Sequence, residues 1–207
     1  MMKKRLTSLA LSAMMVLSMV PATAFAAKDA GTPPTYNSAT GCYEISTPAQ
    51  LLYLSGKWKD GAPRDGHYVL TADIDMTGVK GFKPIASKKE QGFTGTFDGQ
   101  FHSIKGLRIE YEKKYAGLFG YVGNQDDQAY IKNVALLDCY VTGQQNVGAL
   151  AGVNYGTITG CVVTGEVKCL DLSNSHTAGG ICGKLKEGEG PIVGHVEDCY
   201  VNADVSA

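Results

Sequence analysis

The sequence predicts an all-β solenoid, a parallel β-helix of stacked coils closed at its first end by a short helix. Two repeated patterns and the composition carry this reading. A six-residue pattern occurs four times: Ile104-Lys-Gly-Leu107-Arg-Ile109, Leu136-Leu-Asp-Cys139-Tyr-Val141, Ile158-Thr-Gly-Cys161-Val-Val163 and Val196-Glu-Asp-Cys199-Tyr-Val201. Its first, fourth and sixth positions are apolar each time. A glycine-framed pattern lies between them: Ala116-Gly-Leu118-Phe-Gly120, Gly148-Ala-Leu150-Ala-Gly152 and Gly179-Gly-Ile181-Cys-Gly183, with closing glycines 32 and then 31 residues apart. The chain has 26 Gly and only 7 Pro among scattered Val, Ile, Thr and Tyr, the composition of short strands separated by turns. Such units are too small to close a core singly, so they are expected to stack, each burying its inward residues on its neighbours.

The elements follow in order. Lys3, Lys4 and Arg5 precede an apolar run from Leu6 to Val20, Pro21 breaks it, and Ala24-Phe25-Ala26 supplies a cleavage pattern. Residues 1–26 therefore read as a secretory signal peptide, and the run is short for a bilayer span. The chain is expected to be secreted or extracellular, with no membrane insertion after cleavage. Loss of the three basic residues moves the formal charge from −1 to −4, which lacks the basic stripe of a nucleic-acid binder. Residues 27–41, with Pro33-Pro34, are polar and read as a mobile linker. The solenoid domain is expected over 42–207.

Cys42 to Ile45 reads as a strand. Thr47-Pro48-Ala49-Gln50 then has the form of a capping box with Pro in the first turn, Leu51, Leu52 and Leu54 give the helix an apolar side, and Gly56 can end it. From Tyr68 to Thr77 the period is two, with Tyr68, Leu70, Ala72, Ile74 and Met76 on one face. Thr77-Gly78 turns the chain, and Gly92 to Gly99 is rich in turn residues. The six-residue units are spaced 32, 22 and 38 residues, so about 22 residues is the expected minimum coil, with extra residues in polar loops such as 124–128 and 186–190. An antiparallel sandwich also gives short strands at regular intervals, but does not require one residue class at one place in every unit. After Val201 only Asn202 to Ala207 remain, so the stack is expected to be incomplete at its C-terminal end and able to self-associate there.

Val147-Gly148-Ala-Leu150-Ala-Gly152-Val-Asn154-Tyr-Gly156-Thr-Ile158-Thr-Gly-Cys161 resembles the GLUG motif: a Gly-Gly-Leu-Val-Gly strand, an Asn-x-Gly turn and an Ile-x-Asn-Cys strand. Leu70-Thr-Ala-Asp73-Ile-Asp75-Met, Phe82-Lys-Pro84-Ile85 and Phe97-Asp98-Gly99-Gln-Phe-His-Ser-Ile104 resemble the segment that commonly precedes it. The resemblance covers roughly residues 42 to 205. Gly160 stands where the family has Asn, and Lys184-Leu-Lys replaces the Asn-x-Gly turn in the third unit. It implies a right-handed parallel β-helix from a secreted or wall-associated bacterial protein, as in adhesin-like proteins and non-catalytic regions of IgA1-specific metallopeptidases. It transfers no catalytic residue.

Several residues have side chains that could carry chemistry. Leu107, Cys139, Cys161 and Cys199 are expected to form one core ladder of apolar positions, their thiols free and buried. A disulfide or metal ladder is the competing reading, and a Cys169–Cys182 pair stays open with the state of Cys42. His67, His102, His176 and His195 are isolated, with no paired metal-ligand spacing, so no cofactor or metal is expected. Asp73, Asp75 and Asp98 suit solvent-facing or turn roles, with a calcium site or a carboxylate pair for glycoside chemistry as the alternative. Tyr140 and Tyr200 follow the ladder position and are expected to point outward, where aromatic faces can bind a host or cell-wall glycan or a protein. The expected function is a non-catalytic binding or structural module, adhesin-like or a spacer. The alternative is a carbohydrate-active enzyme, a polysaccharide lyase or glycoside hydrolase, on the same fold.

Overall fold

The computed structural model describes residues 31–56, 62–171, 177–186 and 193–207. The expected signal peptide, most of the loop after Lys186 and His176 lie outside the described residues. Within them the fold is all-β, with one α-helix and one short 3-10 turn.

Four sheets organise the molecule. The chain runs Tyr130–Lys132, Ala135–Gly143, Gln145–Gly148 and Ala151–Asn154, placing one strand in each sheet. It then returns to the first sheet at Thr157–Thr159 and repeats the order through Val162–Cys169, Ala178–Gly179 and Cys182–Leu185. Each strand pairs in parallel with its counterpart in the next pass. Ladders of this kind bury both backbone edges of every inner strand, which is how strands of two to four residues survive at all. His195–Glu197 and Tyr200–Ser206 begin a further pass.

The first end is built differently. Cys42–Ile45 and the helix Pro48–Leu54 lie where the pattern places them. Thr47 Oγ1 accepts from Gln50 N at 3.3 Å, while Gln50 Oε1 reaches back to Ser46 N at 2.8 Å, one residue before the cap. Ser55 rather than Gly56 ends the helix, and Gly56 follows at φ 84°. Leu51 and Leu54 join the core. Part of the segment expected to be a linker is instead a strand, Thr35–Asn37, antiparallel to Cys42–Ile45. Asn37 Nδ2 donates to Glu44 Oε1 at 2.7 Å, and the chain reverses through Gly41 at φ 70°. That antiparallel strand covers what would otherwise be an open sheet edge.

The strand expected over Tyr68–Thr77 is broken. His67–Leu70 belongs to the first sheet and Ile74–Asp75 to the second, so the period of two spans a corner. Tyr68, Leu70, Ile74 and Met76 are nevertheless all buried. The turn-rich piece holds a strand as well: Thr96–Asp98, with Phe97 buried. One hydrophobic core runs through all passes, and aromatic rings line part of it: Tyr43 on Tyr68 at 5.2 Å, Tyr68 on Phe93 at 6.0 Å, Phe93 on Phe119 at 5.0 Å.

Register corrects the ladder. Ala135 pairs with Val162, and Val162 with Tyr200, so Cys161 and Cys199 share a position with Val134. Cys139 shares its position with Leu107, since Tyr140 pairs with Arg108, and on its other side it meets Gly165. The single ladder of four is therefore two ladders, at successive corners of the coil. The six-residue units at Ile104 and Leu136 share one corner and those at Ile158 and Val196 share the other, because the two corners make the same demand. The residue before each corner is left-handed: Gly106, Asn133, Asp138, Gly160 and Asp198 have φ between 51° and 67°. Gly, Asn and Asp adopt that conformation at least cost, so one short motif marks both corners. Tyr43 pairs with Tyr68, 25 positions on, and this replaces 22 as the shortest pass among the described residues.

Candidate binding surface

The expected site residues are spread along the molecule rather than gathered. Leu107, Cys139 and Cys161 are buried, while Cys199 packs partly exposed against the core near its last strand. All six cysteines are unpaired. Cys169 Sγ points at the carbonyls of Gln144 (3.2 Å) and Asp171 (3.7 Å), and Cys182 lies near Cys199, so Cys169 and Cys182 do not pair with each other. Burial pushes the Cys139 thiol up to about 11 and the Cys161 thiol up to about 12, so neither is a ready nucleophile.

Tyr140 and Tyr200 differ. Tyr200 is exposed on the last strand. Tyr140 is half-buried, and the Arg108 guanidinium lies 4.1 Å from its ring centroid, so a cation already covers that face. Around it the outer face of the second sheet is a charge mosaic, with Arg108 on Glu110 at 2.8 Å and Lys168 on Glu166 at 2.5 Å.

The three carboxylates each serve local structure. Asp73 Oδ1 accepts from Ser103 N at 2.7 Å and Ser103 Oγ at 3.1 Å, with His102 Nδ1 at 3.5 Å. Asp75 accepts from Thr77 N at 2.9 Å. Asp98 accepts from Gln100 N at 2.9 Å and Asn133 Nδ2 at 3.1 Å, with Lys132 Nζ at 3.3 Å. Hydrogen bonds from Ser103 lower the Asp73 carboxyl, and those from Thr77 lower Asp75. Burial pushes Asp98 up, but the bonds from Gln100, Asn133 and Lys132 outweigh it and hold it below its ordinary value. A general acid needs a shift in the opposite direction. The serine beside His102 donates to Asp73, not to the imidazole, so these three side chains do not form a nucleophile relay. Of the histidines, His67 and His195 are exposed. Among the described residues no group of three or more His, Cys, Asp or Glu converges, and no helix is long and apolar enough to cross a membrane.

One concavity was not evident from the repeats. It is an open cleft of about 1190 Å³ between the corner Glu110–Tyr115 and the stretch Gly81–Lys88, reaching Ser55 at one end and Leu170 at the other. Lys83, Lys88, Lys113 and Lys114 border it, with Tyr111, Tyr115 and Tyr140 in its walls. The run Glu110-Tyr-Glu-Lys-Lys-Tyr115, in which charged residues of both signs are interleaved with two tyrosines, is the sequence signal that could have marked it. Lys83 and Lys88 come from the preceding pass, and only the fold brings them near.

No protein-family model matches the chain. Halomucin of Haloquadratum walsbyi is 32% identical over 151 residues, covering 68% of this chain and 2% of halomucin. A Gly-rich protein of Evansella cellulosilytica, by name a membrane protein, is 33% identical over 125 residues, covering 56% of this chain and 14% of its own length. Among solved structures, an immunoglobulin A1 protease-like protein from Bacteroides ovatus superposes with a TM-score of 0.61 at 21% identity, over 84% of this chain and half of that one. That identity makes the last likeness one of fold alone. The chain is thus an all-β protein sharing its fold with part of a larger molecule. It spans only a small fraction of the curated relatives it matches, and those relatives are by name a mucin and a membrane protein.

Proposed function

We propose that this chain is a binding or structural module displayed outside the cell, a right-handed parallel β-helix of GLUG-type repeats with no catalytic activity of its own. One observation carries the reading: strand after strand pairs in parallel with its counterpart one pass earlier, with equivalent side chains in register. Parallel crossovers are right-handed in about 98% of cases, which supports the hand. Stacks of this kind generate long side faces, and such faces suit display and spacing. The leader-like residues 1–26 and the names of the two relatives support an outside location. The lowered carboxyls of Asp73, Asp75 and Asp98 support a non-catalytic role.

Two measurements test the proposal. Expressed with its own N-terminus in a bacterial host, the protein should be lost from intact cells on brief external proteolysis. A fully protected cytoplasmic pool would overturn the location. The purified protein should leave pectins, glucans and host glycans unchanged. Turnover abolished by Asp73→Asn, Asp75→Asn or Asp98→Asn would favour the carbohydrate-active enzyme instead.

A further inference from the structure

The formal charge of the chain is −1, yet the cleft beside the Glu110–Tyr115 corner gathers four lysines. Lys83, Lys88, Lys113 and Lys114 are all exposed, and none forms an ion pair with a described residue. Glu110 and Glu112 are the acids along the same wall, and Glu110 is already taken by Arg108 at 2.8 Å. The cleft therefore carries uncompensated positive charge on a chain that is otherwise near balance.

Its tyrosines add a second property. Tyr115 sits at φ 69°, a conformation that a bulky residue rarely adopts. The pairings of Lys114 with Gln145 and Ala116 with Val147 place Asn146, at φ 51°, opposite it in the next pass. Asparagine is at ease there and tyrosine is not, so the pass bordering the cleft keeps an aromatic ring at a position where the fold itself favours Asn. The ring packs against Tyr121 at 4.8 Å, tilted by 53°, and still lines the cleft.

We propose that this cleft binds an anionic glycan, a polysaccharide bearing carboxylate or sulfate groups, with the lysines on its charges and Tyr111 and Tyr115 against its sugar faces. The inference rests on the reading of the chain as an outside display module. Charge complementarity selects an anion. Lysine is a mobile point charge rather than a planar fork, which suits anions repeated along a polymer better than one fixed carboxylate. Small-molecule pockets of about 300–1,000 Å³ enclose most of their ligand, whereas this cleft is larger and lies open along its length. Tyrosine supplies an apolar face and a polar edge, the combination that a sugar ring presents in return.

Binding of the purified protein to polygalacturonate, dextran sulfate, neutral dextran and a single-stranded oligonucleotide tests this. One or both anionic polysaccharides should bind, with affinity falling as salt rises, and neutral dextran should not. The triple variant Lys83→Ala/Lys113→Ala/Lys114→Ala should weaken binding at least tenfold, while Lys105→Ala, exposed elsewhere, should leave it unchanged. Tyr115→Asn should keep the thermal melt within a few degrees and weaken binding several-fold. The polygalacturonate and dextran sulfate arms separate a carboxylate ligand from a sulfate one. Binding of neither, equal binding by the triple variant, or tighter binding of dextran or the oligonucleotide would each overturn the cleft assignment. Those failures leave the display reading standing, because external proteolysis decides it independently.

Discussion

Cys161 is fully buried, and its Sγ lies 3.3 Å from the Thr159 carbonyl and 4.0 Å from that of Ile131, with the Cys199 thiol beside it. At the same corner one pass earlier stands Val134, also buried. A valine is thus already compatible with that geometry, and Cys161→Val should cost about 1 kcal/mol or little more. Cys161→Asp should cost several times as much, about 3 kcal/mol or beyond, because no described side chain there can pair with a buried charge. Thermal melts of the two variants check this, and equal tolerance would contradict the packing described for the corner. The expected partner position was Leu107, which belongs instead to the neighbouring corner with Cys139. Periodicity exposes a repeated local demand, a left-handed residue followed by an apolar one, but not how many times each coil makes it. Only the inter-strand register separates the two corners, and register depends on residues far apart in the chain.

The glycine-framed strands place a different constraint on the fold. A Cβ at Gly152 would lie 2.6 Å from Tyr115 Cα, one at Gly120 would lie 2.5 Å from Ser87 Cα, and one at Gly183 would meet the backbone of Asn146. In each case the obstruction is backbone of an adjacent pass, which has no flexible end to move aside. Gly152→Ala should therefore cost about 1–3 kcal/mol, as overpacking does, and a melt unchanged by the substitution would contradict the close approach. These three glycines were legible as a set because their spacing of 32 and 31 residues is the length of a pass at that sheet. The helix was legible too, since Thr47, Pro48 and Gln50 specify a start through local hydrogen bonds alone. Thr35–Asn37 was not, because its pairing with Cys42–Ile45 depends on a hairpin through Gly41 that the flanking polar residues conceal. The cleft was the least legible feature. Its lysines come from two passes, and nothing local in Gly81–Lys88 points toward Lys113 and Lys114.

Stacking also decides how the whole molecule responds to pH, because it sorts titratable groups into two populations. Outside and at the turns, Asp73, Asp75 and Asp98 have carboxyls lowered by hydrogen bonds. A lowered folded value stabilises above the unfolded value, near 3.9, and that stability is lost as pH falls through the lower folded value. Inside, burial raises the thiols of Cys139 to about 11, Cys161 to about 12 and Cys182 to about 11, and the Tyr68 hydroxyl rises well above its ordinary value. For these groups the neutral form is the folded one. Their stability is fully present below the unfolded thiol value of about 8.5 and is lost as pH rises toward the folded values. The melting temperature should therefore be nearly level between about pH 5 and 8 and should decline on both sides, each limb with its own residues. Asp98→Asn, which keeps a polar amide in place, should flatten part of the acid limb and leave the alkaline one alone. Cys139→Leu/Cys161→Val, filling each corner with the residue its neighbouring pass already holds, should flatten part of the alkaline limb and leave the acid one alone. Melts from pH 3 to 11 on these variants measure both effects. If the double cysteine variant declines as steeply as the parent above pH 9, the buried thiols do not set that limb.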